Sequence, residues 1–332
     1  MATISPTELP TVVRKFAIPI SLAEYESIDR VYPMLGNVMP VVGPDIDADY
    51  QGTRFKYMVG VQKHYDMEIG QRIEAGNMGE GYTVQCAFKK KGISKEIPRE
   101  MLVGTNPHSA IRALIEPFAQ QCGENAAVEK DEFIAGMLQK GVLTAGSTKY
   151  FDNGYLDNTD ANRGFIYDGL PWFDTAHTLQ ASTATYSNHT ASATLSATTL
   201  DSAHVLVSVT NAINERGDRV RNEPDILVTG RSLEGTARRV LESELLPGGS
   251  NNDINHMKGK FRLVVNPYLT DNANAWWLGN SRKGINIYDS GAPTFETEYD
   301  PRTQTYIVTS VYYFGACVTD ARRWTAQNIA AA

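Results

Sequence analysis

Between Arg54 and Pro98 the chain alternates for longer than a free-standing hairpin can sustain. On the way out Phe55, Tyr57, Val59, Val61, Tyr65, Met67 and Ile69 share one parity, and Lys56, Gln62, His64, Asp66 and Glu68 the other, which is the period of a strand. A Gly-rich reversal, Gly76-Asn77-Met78-Gly79-Glu80-Gly81, leads into Tyr82, Val84, Cys86 and Phe88 alternating with Thr83, Gln85 and Lys89, so a second strand returns. Each arm is roughly three times the mean strand length of about 5–6 residues, and a lone two-stranded ribbon is marginal in water. Its apolar face needs a partner, either another part of the fold or a neighbouring subunit. No third strand adjoins it in sequence, which favours the neighbour.

The rest of the chain excludes several function classes. Its 332 residues, 42% hydrophobic, allow one large or two smaller domains with a packed core. The net charge is −7, and no basic block exceeds Lys89-Lys90-Lys91, so no dedicated DNA-gripping or membrane surface is marked. There is neither an apolar run of the roughly 20 residues a membrane helix needs nor a signal-peptide layout at Met1 to Pro6, so a cytosolic setting is expected. Cys86, Cys122 and Cys317 are odd in number and far apart, which predicts buried thiols and no disulfide framework or thiolate metal site.

Along the chain, Pro6, Pro10, Pro19, Pro33, Pro40 and Pro44 predict an extended arm over residues 1 to about 48, with at most a helical turn or two from Ser21 to Arg30. Asn106-Pro107 starts a long amphipathic helix carrying Ile111, Leu114, Ile115, Phe118 and Cys122, then Phe133, Ile134, Met137 and Leu138, with Gly141 as its stop. Pro117 and Gly123 predict a kink or two abutting helices. Gly141 to about Thr198 reads as loops and short strands. Beyond it lie a helix from about Asp201 to Arg216, with Ala203, Leu206, Val209, Thr210 and Ile213 inward, a buried strand Asp225 to Thr229, and a helix capped by Ser232. Strands follow at Phe261 to Val265, Ala275 to Leu278 and Ile285 to Tyr288. A second hairpin joins Thr294–Tyr299 to Thr305–Val318 through Asp300-Pro301-Arg302-Thr303.

Catalytic signatures are sparse. No HExxH, P-loop or dinucleotide glycine run occurs, and the glycines at 76, 79 and 81 belong to a turn. Ser232 in Gly230-Arg231-Ser232-Leu233-Glu234-Gly235 lacks the spacing of a nucleophile elbow. Asp174 and His177, with Ser182 as nucleophile, form the one acid–histidine combination with a hydrolytic reading. His64, His108, His189, His204 and His256 show no metal-ligand spacing. Asn188-His189-Thr190 is taken as a polar loop, and Glu242 with Glu244 as solvent-facing. No catalytic, cofactor-binding or metal-binding residue is therefore assigned.

The order of parts, together with Gly169-Leu170-Pro171-Trp172-Phe173-Asp174-Thr175-Ala176-His177, Glu223 to Val228, Leu233 to Arg238, Val264 to Asp271 and Ala275-Trp276-Trp277-Leu278, resembles tailed-phage major capsid proteins of the Hong Kong 97 type, in the branch of Mu-like major head subunits. The resemblance is closest in the second half and rests on layout in the first. It implies an α+β, Hong Kong 97-like fold: an N-terminal arm (1–48), an extended β-hairpin loop, or E-loop (49–98), a peripheral domain with a long spine helix (99–171), an axial domain (172–288) and a return to the peripheral sheet (289–332). It further implies a subunit that builds an icosahedral shell from pentamers and hexamers around double-stranded DNA contacted non-specifically. The implied setting is a virion assembled in a bacterial host's cytoplasm, with no membrane or cofactor. Separate scaffold, portal and possibly decoration proteins are the implied partners. No lysine–asparagine cross-link positions are matched. The rival readings are an encapsulin-like nanocompartment shell, a ring- or tube-forming tail or connector component, and a hydrolase using Asp174 and His177.

Overall fold

The structure is a computed structural model, and it describes residues 9–41, 46–47, 50–59, 69, 79–102, 107–143, 166–246 and 253–329. Helix α1 (Leu9–Ser27) is followed by β1 (Asn37–Pro40), β2 (Ile46–Asp47), β3 (Tyr50–Val59), β4 (Gly79–Ala87) and β5 (Lys89–Pro98). Helix α2 (Pro107–Lys140) then leads to β6 (His177–Thr178), β7 (Thr185–Tyr186), β8 (His189–Thr190) and α3 (Ala197–Val205). The second half holds β9 (Ile226–Thr229), α4 (Glu234–Glu242), β10 (Arg262–Val265), β11 (Trp276–Gly279), β12 (Ile285–Asp289), β13 (Thr294–Asp300), β14 (Thr305–Val318) and β15 (Trp324–Gln327). Helices and mostly antiparallel sheets thus make an α+β chain.

From Leu9 to Ser27 the proline-rich start is helical and not extended. Pro19 lies inside this helix, although an interior proline removes a backbone bond and costs about 3 kcal/mol. Pro10 lies in the first turn, where the missing N–H has no intrahelical partner to lose. Packing supplies the rest: Val13, Ala17, Ser21 and Tyr25 recur every four residues and all are buried, forming a stripe laid against α2. The two helices meet at Gly123, where a Cβ would stand 2.4 Å from the Ser21 carbonyl oxygen. That close approach is why a glycine occupies the middle of a long helix. Helix α2 runs as one element through Pro117, not as two abutting helices, and its 34 residues span about 50 Å at 1.5 Å per residue.

Strand β14 organises the larger sheet. Along one edge it pairs with β5 from Thr305↔Pro98 to Phe314↔Lys89. Along the other it pairs first with β13 and then with β12, and β1 extends the sheet in parallel beyond β12. Phe295, Tyr306, Val308 and Ile97 turn inward and meet Val13, Ala17, Ile115 and Ala119, so the sheet is covered on one face by α1 and α2.

The second sheet has the order β10-β9-β11-β15-β8, and β9, β11 and β15 are buried at every position. Alternate side chains of a strand face opposite sides, and here both sides are covered. Ile226, Val228 and Trp277 join the core shared with α2, whereas Leu227, Trp276 and Leu278 pack beneath α3 and α4. This explains why these strands read as unbroken apolar runs.

Two helix boundaries differ from the sequence reading. Helix α3 begins earlier, because Ser196 and Thr199 form a reciprocal capping box, and it passes into a single π-turn, Leu206–Thr210, instead of continuing to Arg216. The shift in register buries Leu200, Ala203 and Val207 and leaves Val209 exposed. Helix α4 is not capped by Ser232, whose hydroxyl instead donates to the Ala273 carbonyl.

Among the cysteines, Cys122 is a buried free thiol, as expected. Cys317 is buried but disulfide-bonded, which corrects the reading of three thiols, and the Cys86 side chain lies outside the described residues.

Candidate functional site

The ribbon read from the sequence is present at its base. Strands β3 and β4 pair antiparallel from Gly52↔Ala87 to Val59↔Gly79, with a register shift between Lys56 and Met58. Which face Phe55, Tyr57 and Val59 present, and the course of the ribbon from Gly60 to Met78 apart from an exposed Ile69, lie outside the described residues.

The returning strand is fastened to its own chain. The Tyr82 ring stacks on Tyr167 with centroids 4.3 Å apart and planes 10° from parallel. The Tyr82 backbone N–H donates to the Gln180 side-chain oxygen at 2.9 Å, and its hydroxyl donates to the Thr319 carbonyl at 3.1 Å. Six residues on, Phe88 is buried against Tyr288 and Tyr313. Tyr82 and Phe88 belong to the apolar parity for which the sequence favoured a neighbouring subunit; at the ribbon base that reading is corrected, because both side chains pack on their own chain. Immediately afterwards the strand continues as β5 on the edge of β14. The base of the ribbon is therefore anchored on the subunit's own sheet.

Beneath that sheet lies a buried polar knot that the sequence reading missed. Lys130 of α2 is fully enclosed, and its Nζ donates to Asp289 Oδ1 at 2.6 Å, the Gly291 carbonyl at 2.7 Å and the Tyr25 hydroxyl at 2.9 Å. The Tyr32 hydroxyl donates to the other oxygen of Asp289, and burial together with that bond raises the Tyr32 hydroxyl far above its ordinary pKa. The rings of Tyr25, Tyr312 and Phe314 face the ammonium at 4.5, 5.1 and 5.7 Å, a cation–π cage. One lysine thus ties α1, α2 and the end of β12. The available signal was position: Lys130 falls four residues from both Ala126 and Ile134, on the buried stripe of α2. On the same helix Glu129 bonds Lys91 at 2.8 Å and the Tyr312 hydroxyl. Burial would raise its carboxyl, but these two donors outweigh that and hold it below its usual range.

The residues with a hydrolytic reading do not assemble. His177 is buried, with Nδ1 at 2.8 Å from Asp168 Oδ2 and Nε2 at 3.2 Å from Asn188 Oδ1. Its acid partner is thus Asp168 and not Asp174, whose Oδ1 accepts the Ala176 N–H. Ser182 accepts the Ala184 N–H in a local turn. Asn188, read as part of a polar loop, is buried, and its amide donates to the carbonyls of Trp172 and Ala321. Glu242 and Glu244 each bond a surface cation, Arg238 and Lys258 respectively. Among the described residues no cluster of His, Cys, Asp and Glu could hold a metal, and no helix is long and apolar enough to cross a membrane.

A family model described as phage capsid protein matches residues 81–326, well over half of the chain. No curated protein matches it. Among solved structures the chain is similar to the capsid of Ralstonia phage GP4, with 14% identity, a TM-score of 0.46 and coverage of 87% of this chain and 86% of that one. It is also similar to Mycobacterium phage Patience, with 11% identity, a TM-score of 0.48 and coverage of 100% and 91%. A third similar structure is the procapsid of bacteriophage JBD30, with 14% identity, a TM-score of 0.44 and coverage of 97% and 75%.

Proposed function

The chain belongs to the phage capsid protein family, and from that premise we propose that it is the major head subunit of a tailed double-stranded DNA phage or prophage, with a Hong Kong 97-like fold, closing through pentamers and hexamers into an icosahedral shell. The observation that carries this reading is the family match over residues 81–326, which takes in the returning strand of the ribbon, the long helix and most of the two larger sheets. The role is structural and not catalytic. In this reading α1 belongs to the arm (1–48), β3 and β4 to the extended loop (49–98), and α2 is the spine of the peripheral domain (99–171). The doubly covered sheet lies mainly in the axial domain (172–288), and β13 to β15 return in residues 289–332.

The physics of a container supports it. An acidic wall with net charge −7 does not immobilise a polyanion, because tight binding to DNA needs phosphate neutralisation by clustered lysine and arginine. Association then rests on subunit contacts of obligate size, on the order of 2,000 Å² or more, with the outer part of the ribbon laid on a neighbour. Scaffold, portal and decoration proteins are the separate partners this role calls for, and the virion, assembled in the host cytoplasm, is its setting.

Electron microscopy of the purified recombinant chain tests the assignment directly. Closed particles with fivefold and sixfold clusters are expected. Rings or tubes would point to a tail or connector component, and a compact monomer at high concentration would refute a shell. Tyr57→Asp is expected to block particle formation while leaving the subunit folded, and full shells from that variant would remove the ribbon's assigned role.

A further inference from the structure

Three arginines converge on one cleft where the segment after α1 meets the second sheet. Arg30 follows α1, Arg262 opens β10, and Arg282 lies in the turn between β11 and β12, all lining an open cleft of about 740 Å³. Two of them are held in place: the Arg30 guanidinium lies 4.3 Å over the Tyr25 ring, and Arg262 Nη2 donates to the Met34 carbonyl at 3.1 Å. Among the described residues none of the three has a carboxylate within ion-pair distance, although eight other arginines and lysines pair with carboxylates on the surface and in the core. The one acid lining the cleft, Asp225, accepts from the backbone N–H of Ser281 at 2.7 Å and from its hydroxyl. A chain of net charge −7 therefore carries a local cluster of three arginines, two of them held in place and none in an ion pair among the described residues.

The same molecule carries its complement. On the face of the larger sheet turned away from α1 and α2, Glu96 of β5 and Glu298 of β13 stand on either side of Ile307 of β14, and Glu296 stands one step along, beside Thr309. All three glutamates are exposed, and among the described residues none forms an ion pair. We propose that the arginine cleft of one copy receives the carboxylates of this sheet face from a second copy.

This contact presupposes the capsid role proposed from the family membership, and it names surfaces by which copies meet in addition to the ribbon. Guanidinium forks match carboxylates in two-bond geometry. Complementary patches on different parts of one surface give a head-to-tail contact, the kind that closes into rings. A nucleic-acid strand fits less well. It presents charge continuously along its length and calls for a basic track, whereas the arginines are confined to one cleft that also contains Asp225.

Two full-length variants test the contact: Arg262→Glu with Arg282→Glu, and Glu296→Arg with Glu298→Arg. All four side chains are exposed, and an unchanged thermal melt of each subunit confirms folding. Each variant alone is expected to raise the concentration needed for particle formation about tenfold or more, the scale of losing close interfacial charge pairs. Both pairs combined in one chain should return it to within about threefold of wild type. Wild-type assembly by the arginine variant, or a defect that the glutamate reversal does not rescue, overturns the contact. So does normal assembly with loss of DNA retention, which would mark the cleft as a nucleic-acid site. Absence of particles from the wild-type chain refutes the capsid role itself. In that event, sedimentation of the two variants mixed, against each alone, still decides whether the reversed surfaces pair.

Discussion

Lys130→Met removes the fully enclosed cation of the buried knot beneath β12 and β14, and its effect can be worked from the contacts. The substitution keeps the side-chain volume but abolishes three donated bonds, to Asp289, the Gly291 carbonyl and Tyr25, and leaves the Asp289 carboxyl, at 8% side-chain exposure, without its cation. Removing one partner of a buried ion pair costs about 3–5 kcal/mol, because the other charge stays desolvated. The Asp289 carboxylate still accepts from the Tyr32 hydroxyl and the Gly291 N–H, which places the expected loss near 3 kcal/mol. At about 2.1 cal/mol/K per residue over 332 residues, the unfolding entropy is roughly 0.7 kcal/mol/K, so the melting temperature should fall by about 4 °C. The assay is thermal and denaturant unfolding of the unassembled subunit, with the exposed Lys95→Met as control. Adding Asp289→Asn should cost less than the sum of the single changes, by about 1 kcal/mol or more, since the partners are coupled. A Lys130→Met shift no larger than the control's, or an additive double variant, would refute the reasoning.

Tyr82→Ala deletes the stack on Tyr167 and the bond to Thr319, and should cost about 3 kcal/mol or more while speeding amide exchange across Gly79–Ala87 relative to α2. Gly123→Val places a branched side chain where even a Cβ would lie 2.4 Å from the Ser21 oxygen, and should separate α1 from α2, seen as exposure of the N-terminal helix to protease. Asp320 sets a pH dependence. Burial would raise its carboxyl, but Arg322 and Arg323 outweigh this and hold it below the usual range. Its stabilising contribution is therefore complete above the unfolded value near 3.9 and is lost as pH falls below it. Asp320→Asn should lower stability at neutral pH and flatten the acid limb of the stability profile, and an unchanged acid limb would show that this carboxylate does not drive it.

Legibility followed how local each cause was. Helix α2 and the β13–β14 hairpin were readable because their ends carry local signals, Pro107 with Gly141 in one case and Asp300-Pro301 in the other. Helix α1 was not, because the packing that outweighs Pro19 comes from Gly123 and its neighbours, about a hundred residues away. The start of α3 was hidden in a run of small hydroxylated residues. In that run Ser196 and Thr199 bond each other's backbone as a cap, whereas composition alone suggests a loop. His177 was paired with the nearest acid in sequence, but the chain turns so that Asp168 reaches its ring. Lys130 was overlooked because a lysine in a long polar helix is ordinarily solvated.

The division of labour along the ribbon has a mechanical consequence. Tyr82 and Phe88 fasten the returning strand to the subunit's own body, and the pairing of β5 with β14 over ten residues continues that hold. The direction in which the ribbon leaves the subunit is thereby set before any neighbour is met. Ordering a flexible segment on association subtracts from binding, so a ribbon already aimed at its base loses less on docking than one free to swing. In the shell role proposed for this chain, loosening the base should therefore weaken assembly even where no residue of the docking face is altered. Tyr82→Phe isolates that effect: it keeps the aromatic stack and the backbone bond to Gln180 but removes the hydroxyl's bond to Thr319. A small loss of subunit stability, about 1 kcal/mol, should accompany a measurable rise in the concentration needed for particles. Unchanged assembly despite the loss of stability would show that the aim of the ribbon is set elsewhere.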